Sequence, residues 1–250
     1  MVTGGSRGIG LAVGRALAAE GADVALVARG EEALRRAADD VAHQSGRKIV
    51  AVPADTGDDA SVAAMAGQVL AQLGGVDILV NAAATAATGA PFTDDDLEGE
   101  INVKVRGYLR CARAVAPLMV GSGWGRIVNI AGLAARSTGN IVGTVRNVAV
   151  VAMTKNLADE LGPRGVNVTV VHPGMTRTER TPEAMAAMAQ SRGITVEELE
   201  RTLESGVSIG RLVTAEEIGS VVAFLASPKS VALNGDAVVA SGGAKGSIYY

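Results

Sequence analysis

The chain has 250 residues, a length at which α/β proteins commonly form one domain around one core. Hydrophobic residues make up 48% of the chain and aromatic residues only 2%, so the core must consist of Ala, Val, Leu and Ile, as in buried parallel strands and their covering helices. The net charge of −3 provides no basic face for nucleic acid, and no apolar stretch approaches the length of a membrane span. We therefore expect one cytoplasmic domain over residues 1–250 that binds neither nucleic acid nor a membrane.

Short β-branched runs alternate with amphipathic helical runs along the chain. The first strand contains little more than Val2, and because such a strand is central and buried, we expect that upstream residues are missing. The other expected strands are 24–28, 49–52, 76–81, 126–130, 166–172 and 236–240. The expected helices are one after the loop at 3–10, then 31–43, 58–73, 94–119, 142–161 and 214–225, with a polar helical stretch at 182–203. This alternation predicts a single-domain Rossmann fold of the α/β class: a doubly wound parallel sheet of about seven strands with helices on both faces, binding ligands at the carboxyl ends of the strands.

The segment TGGSRGIG at 3–10 has the glycine spacing of a dinucleotide-binding loop. Its glycines let the backbone approach a pyrophosphate, and the helix that follows supplies free N–H groups and the positive end of its dipole. The loop residues expected to contact a cofactor are Gly4, Ser6, Arg7, Gly8, Ile9 and Gly10.

With the motifs that follow it, this loop resembles that of the short-chain dehydrogenase/reductase family, and the resemblance covers essentially the whole chain. PADT at 53–56 is similar to the family's adenine contact, NAAA at 81–84 to its NNAG segment, and PGMTRT at 173–178 to its PGxxxT cofactor clamp. The resemblance implies a nicotinamide dinucleotide cofactor and a homodimer or homotetramer that assembles through the helices 94–119 and 142–161. The further residues that it assigns to the cofactor are Asp55, Thr56, Asn81, Ala82, Ala83, Pro173, Gly174 and Thr178.

The end of the second strand indicates which nicotinamide is bound. That strand ends with Val27, Ala28 and Arg29, so it has no carboxylate to pair with a ribose diol or to repel a phosphate. Arg29 can instead pair with a 2′-phosphate, and Arg7 can add a second charge-assisted contact. We therefore expect NADP(H) to be preferred over NAD(H), with an ordinary exposed arginine as the alternative for Arg29.

The resemblance also implies a catalytic set of Asn, Ser, Tyr and Lys, but the corresponding positions hold other residues. Counting back from AVVAMTK at 149–155 places the family's Lys at Asn147 and its Tyr, four residues earlier on the same helix face, at Gly143. Counting forward from RIVNI at 126–130 places the Ser at Gly132. The chain therefore resembles a divergent member of the family that lacks the usual Ser, Tyr and Lys.

The family's Asn corresponds to Lys104 rather than to Asn102, so one amide and one amine are exchanged between two helices. This exchange leads to the hypothesis that Asn147 binds the nicotinamide ribose while Lys104 polarises or protonates a substrate oxygen. Burial would lower the pKa of Lys104, whereas the cofactor phosphates would oppose that change. The alternative is that Lys104 extends to solvent and that Asn147 caps or packs its helix.

Gly132 and Gly143 are expected to leave space beside the nicotinamide. Either a bulky substrate or the intervening loop would fill this space, and Ser137 or Thr138 of that loop could supply the missing hydroxyl. The segment 176–205 corresponds to the family's substrate lid. Four of its residues favour a small, apolar substrate: Met185, Met188, Leu199 and Leu203.

Two functions remain open at this stage. The complete cofactor motifs and the Lys104/Asn147 exchange favour an NADP(H)-dependent oxidoreductase that interconverts a carbonyl and an alcohol. The loss of both Ser and Tyr favours a catalytically inactive NADP(H)-binding homologue that acts as a sensor or as a partner subunit. No grouping of His, Cys or carboxylates has the spacing of metal ligands, so no metal is expected.

Overall fold

The computed structural model describes residues 1–84 and 92–246. Its strands in chain order are β1 (Val2–Thr3), β2 (Val24–Ala28), β3 (Ile49–Pro53), β4 (Ile78–Asn81), β5 (Gly125–Ile130), β6 (Val166–Pro173), β7 (Thr176–Arg177), β8 (Val213–Thr214) and β9 (Ala237–Ala240). Seven of them form one parallel sheet in the order β3-β2-β1-β4-β5-β6-β9, and β7 pairs with β8 separately. The predicted doubly wound parallel sheet is confirmed.

The chain reverses its direction of winding between β1 and β4, where Thr3 pairs with Asn81. This point is the usual ligand crevice of such sheets. β1 has only two residues, but Val2 and Thr3 are fully buried between β2 and β4. The short first strand therefore occupies the central position that the sequence predicts.

The helices cover both faces of the sheet. They are α1 (Gly8–Ala19), α2 (Glu31–Ser45), α3 (Asp59–Leu73), α4 (Asp94–Glu100), α5 (Gly107–Ser122), α6 (Ile141–Leu161), α7 (Thr181–Arg192), α8 (Val196–Ser205) and α9 (Ala215–Ala226). The aliphatic side chains of α1, α2 and α9 form the core on one face, and those of α3, α5 and α6 form the core on the other. None of the helices in the described part of the chain is long and apolar enough to span a membrane.

Two helical segments differ from the prediction. The expected helix 94–119 consists of α4, a π-helical turn at Ile101–Arg106 and α5. The sequence did not indicate the π-helical turn, because a wider turn leaves no signature in apolar periodicity. The expected polar helix 182–203 is two helices. Gly193 has a φ of 65° and ends α7, and Thr195 begins α8 with a capping box to Glu198.

Candidate active site

A cavity of about 900 Å³ lies at the carboxyl ends of the central strands. It extends from the glycine loop before α1, past the ends of β2 and β3, to the turn after β6. Most of the residues predicted to bind the cofactor line it: Gly4, Ser6, Arg7, Gly8, Ile9, Gly10, Arg29, Asp55, Thr56, Ala82, Ala83, Asn147, Pro173, Gly174 and Thr178.

The glycine loop packs tightly against the segment that follows β4. Gly4 has a φ of 68°, and a Cβ atom there would lie 2.7 Å from the carbonyl oxygen of Ala82. The Thr3 hydroxyl oxygen accepts hydrogen bonds from the N–H groups of Ala82 and Ala83, at 3.1 and 3.2 Å. These contacts fix the loop at the carboxyl end of β1, where the later residues of the loop line the cavity.

Asn81 is the predicted cofactor residue that the structure places elsewhere. Its side chain is fully buried and does not line the cavity. The amide donates to Oδ1 of Asn129 at 3.0 Å and to the carbonyl oxygen of Tyr108 at 3.4 Å. Asn81 therefore connects β4 to β5 and α5, and its side chain does not line the cavity where the sequence predicts a cofactor contact.

Lys104 lies on the π-helical turn and is only 4% exposed. Its Nζ atom donates to the carbonyl oxygen of Ala131 at 3.0 Å, so the side chain is directed inward to the end of β5 and not to solvent. Burial, and to a smaller extent the positive Arg146, lower the pKa of Lys104 to about 7, while Glu100 opposes both. An amine in this state can give or take a proton near neutral pH.

Asn147 lies on α6 and lines the same cavity as Lys104. It is 3% exposed, and its Oδ1 atom accepts no hydrogen bond from the described residues. Its Nδ2 atom is 3.3 Å from the position of a Cβ atom on Gly132, next to the Ala131 carbonyl that holds Lys104. The structure thus brings the exchanged amine and amide to one wall.

Arg146 and Glu100 form a buried ion pair between α6 and α4. Their side chains are 13% and 6% exposed, and Arg146 also lines the cavity. The structure places its positive charge close enough to affect the pKa of Lys104.

The loop hydroxyls expected to replace the missing Ser and Tyr do not reach the cavity. Ser137 and Thr138 are exposed and absent from its lining. The Ser137 hydroxyl donates to the carbonyl oxygen of Leu133 at 3.4 Å, and the Ser137 carbonyl accepts from Thr144, so this loop is held against the start of α6. We therefore give neither hydroxyl a role in the chemistry.

The two glycines at the family's Ser and Tyr positions behave differently. Gly132 lines the cavity, as predicted, but Gly143 does not. Asn140 caps α6 by accepting from the N–H group of Gly143 at 2.7 Å. A Cβ atom on Gly143 would lie 3.1 Å from the Asn140 amide, so a loop residue occupies the space where the family's Tyr would begin.

Tyr108 is a cavity residue that sequence analysis missed. It follows Lys104 by four residues, a spacing that places both on one helix face and was the available signal. The Tyr108 hydroxyl donates to the carbonyl oxygen of Ile130 at 3.0 Å, and burial raises its pKa. The group is therefore held protonated and engaged.

His172 and metal ligands contribute nothing to this site. His172 is buried on β6 outside the cavity lining, and burial lowers its pKa. Within residues 1–84 and 92–246, no group of three or more His, Cys, Asp or Glu side chains could hold a metal ion.

A second cavity of about 490 Å³ lies beside α7 and shares Met175, Thr178 and Arg180 with the first. Met185 and Met188 line it, as expected for an apolar surface of the lid. Leu199 and Leu203 instead pack within the lid, against Met185 and the other residues of that cluster. Two of the four predicted apolar residues thus face a cavity.

The chain is similar to known proteins over almost its whole length. The profile of the family described as enoyl-(acyl carrier protein) reductase matches residues 4–245. The short-chain reductase protein NovJ of Streptomyces niveus is 33% identical, over 97% of this chain and 92% of its own. L-sorbose reductase from Gluconobacter frateurii, solved with NADPH and L-sorbose, has a TM-score of 0.92 at 27% identity and covers 99% of this chain and 96% of its own.

A short-chain dehydrogenase from Burkholderia cenocepacia in complex with NADP has a TM-score of 0.83 at 32% identity and covers 97% of this chain and 95% of its own. These likenesses extend from the glycine loop to the last strand of the sheet, and the TM-scores of 0.92 and 0.83 show the same fold. This chain belongs to the short-chain dehydrogenase/reductase family of oxidoreductases.

Proposed function

We propose that this protein is an NADP(H)-dependent oxidoreductase that interconverts a carbonyl and an alcohol, with Lys104 and Asn147 in place of the usual residues. The observation that carries the proposal is that both polar side chains are buried in the wall of one cavity. A buried amine and a buried amide with an unused acceptor cost stability, so their presence favours a role in binding or chemistry.

The residues present fit a nicotinamide dinucleotide. The N–H group of Gly8 already holds a carboxylate at the start of α1, which shows that this position accepts an anion. The free Oδ1 atom of Asn147 can accept from a ribose hydroxyl. Arg29 and Arg7 are both exposed and line the cavity, where they would pair with a 2′-phosphate. Relatives solved with NADPH or NADP support the same cofactor.

The bound cofactor would supply the hydride, and Lys104 would handle the proton. In reduction, hydride adds to the carbonyl carbon while protonated Lys104 gives a proton to the oxygen; in oxidation, neutral Lys104 takes that proton back. A pKa of about 7 makes both states available near neutral pH. The Tyr108 hydroxyl is less suited, because its raised pKa and its bond to Ile130 keep it protonated.

The substrate is proposed to be a small molecule with an apolar portion. The second cavity lies next to the first and is lined by Met185 and Met188, whose flexible side chains suit an apolar group.

For assembly we propose a homodimer or homotetramer. Ile141, Val145 and Val148 form an exposed apolar row on α6, being 61%, 44% and 45% exposed.

The test is absorbance loss of NADPH with a panel of ketones, aldehydes and quinones, comparing wild type with Lys104→Met. Lys155→Met is the matched control, because Lys155 is an exposed lysine on α6 that pairs with Asp159. We expect turnover by wild type and the control and a loss of about 100-fold or more in Lys104→Met. Unchanged turnover in Lys104→Met would remove Lys104 from the mechanism.

A second candidate is an NADP(H)-binding protein without redox turnover, acting as a sensor or partner subunit. It is favoured by the positions of the hydroxyl groups: Ser137 and Thr138 lie outside the cavity, and Tyr108 is engaged. Tight binding of NADPH by wild type with no turnover on any carbonyl of the panel would support it. Measurable turnover that depends on Lys104 would exclude it.

A further inference from the structure

Glu179 connects the proposed lid to the glycine loop. It directly follows Thr178, and its carboxylate accepts from the N–H group of Gly8, with Oε1 at 3.0 Å and Oε2 at 3.2 Å. The contact joins residues 171 positions apart, so it brings the start of the lid segment onto the start of α1. Both Gly8 and Glu179 line the 900 Å³ cavity.

The start of α1 is where an anion is held most favourably. Gly8 is the first residue of this 12-residue helix, and the first N–H groups of a helix have no partner within it. These groups and the helix dipole attract one negative group at close range. In this structure the Glu179 carboxylate already occupies that position.

We infer that Glu179 is an internal competitor for the pyrophosphate of a dinucleotide and thereby sets the affinity of the cofactor site. This inference rests on the proposed cofactor. A phosphate bound at Gly8 requires the same N–H group, and two adjacent anions repel each other. Glu179 must therefore leave Gly8 before a dinucleotide is fully seated, and this movement releases the lid segment from the loop.

The released carboxylate has a place to go. A neighbouring cavity of about 320 Å³ is also lined by Gly8 and Glu179, and Arg15 and Arg177 stand in its wall. Arg177 pairs with Glu204 at 2.9 Å and with Glu200, both on α8 of the lid. Arg15 in turn pairs with Asp40 at 2.7 Å. A movement of Glu179 toward these guanidinium groups would therefore add a carboxylate to existing ion pairs, and at Arg177 it would be transmitted to α8.

The test compares the binding of NADPH to the apo full-length protein, followed by cofactor fluorescence. Glu179→Ala removes the competitor and should lower the Kd for NADPH by about three- to tenfold. NADH should gain by a similar factor, because the two dinucleotides share the pyrophosphate. Glu179→Gln should have a smaller effect, because its amide oxygen can still accept from Gly8.

Two controls separate competition at Gly8 from a general change in charge or fold. Glu197→Ala removes an exposed carboxylate from α8 that lines none of the three cavities, and it should leave the Kd unchanged. Adenosine 2′-monophosphate carries the adenine and the 2′-phosphate without a pyrophosphate, so its affinity should be equal in wild type and Glu179→Ala. Thermal unfolding of the apo variants checks that all are folded.

The outcomes distinguish this inference from the proposed function. Equal Kd values for NADPH in folded wild type and Glu179→Ala would overturn the inference and leave the proposed cofactor in place. An equal gain for adenosine 2′-monophosphate would also overturn it, since the effect would not depend on the pyrophosphate. If neither protein binds NADPH or NADH, the proposed function fails and the inference with it.

Discussion

The Nζ atom of Lys104 donates to the carbonyl oxygen of Ala131 at 3.0 Å. This bond joins the π-helical turn at Ile101–Arg106 to the residue that follows β5. A neutral amine still has N–H groups to donate, so the bond survives the loss of a proton. Lys104 can therefore remain in position in both of its protonation states, as a group that exchanges protons with a substrate requires.

The rate of reduction should fall as the pH rises through the pKa of Lys104. Reduction needs the protonated amine, so kcat should be highest below about pH 7 and should decrease above it, while oxidation should show the opposite dependence. A pH profile of kcat in each direction measures this. A flat profile in both directions, at saturating cofactor and substrate, would contradict the assignment of the proton to Lys104.

The buried amine should also make stability depend on pH. Folding lowers the pKa of Lys104 from 10.5 to about 7. The free-energy cost of burying this amine is therefore largest below pH 7 and decreases to zero as the pH rises toward 10.5. Lys104→Met should therefore raise the free energy of unfolding more at about pH 6 than at about pH 9, by about 2–3 kcal/mol. Urea unfolding measures the difference, and the exposed Lys155→Met should show none.

Glu100→Gln should weaken the fold and shift the pH profile. Arg146 would remain as a buried charge without its carboxylate, which costs about 3–5 kcal/mol in the free energy of unfolding. Glu100 raises the pKa of Lys104, so its loss should move the midpoint of the reduction profile to lower pH. The double variant Glu100→Gln/Arg146→Met removes the unpaired Arg146 charge and should recover part of the stability; Lys104 stays in both variants. A midpoint that moves upward would contradict this electrostatic account.

The fold was predictable because its signals are local and repeated. Buried parallel strands give short aliphatic runs. The motif TGGSRGIG at 3–10 is typical of a tight turn that leads into a helix. The resemblance to the family, with counts along two helices, also placed Lys104 and Asn147 in one pocket. Both side chains line the cavity, although their roles stay proposals.

The remaining features depend on contacts that the sequence does not reveal. The Asn81 side chain is held by its bond to Asn129 on the next strand, a partner that spacing along the chain does not give. The cap from Asn140 to Gly143 spans only three residues, but that it fills the space beside Gly143 is seen only in the structure. The Glu179 contact with Gly8 joins residues 171 positions apart. From the sequence, Glu179 cannot be distinguished from other exposed acidic residues.

Arg29→Ala should reduce the preference for NADPH over NADH. Arg29 is exposed at the end of β2 and lines the cavity, so its loss should weaken NADPH binding by about tenfold through the 2′-phosphate and leave NADH nearly unchanged. Fluorescence titration with both cofactors measures the ratio. Arg36→Ala, on the exposed face of α2 where Arg36 pairs with Glu32, is the control. Equal affinities of wild type for the two cofactors would overturn the argument from charge.

Val148→Glu should disrupt assembly without unfolding the chain. Val148 is 45% exposed and follows Ile141 and Val145 on one face of α6, so a charge there would face the apolar row of a second subunit. We expect the mass from light scattering to fall from a dimer or tetramer toward a monomer, with an unchanged circular dichroism spectrum. Ala71→Glu is the control, because Ala71 is exposed on α3 and not on α6. Asn147 and Arg146 lie on α6 next to this row, so subunit packing would also hold them against the cavity. NADPH affinity should therefore decrease together with the mass. A wild-type protein that is monomeric at all concentrations would contradict the proposed interface.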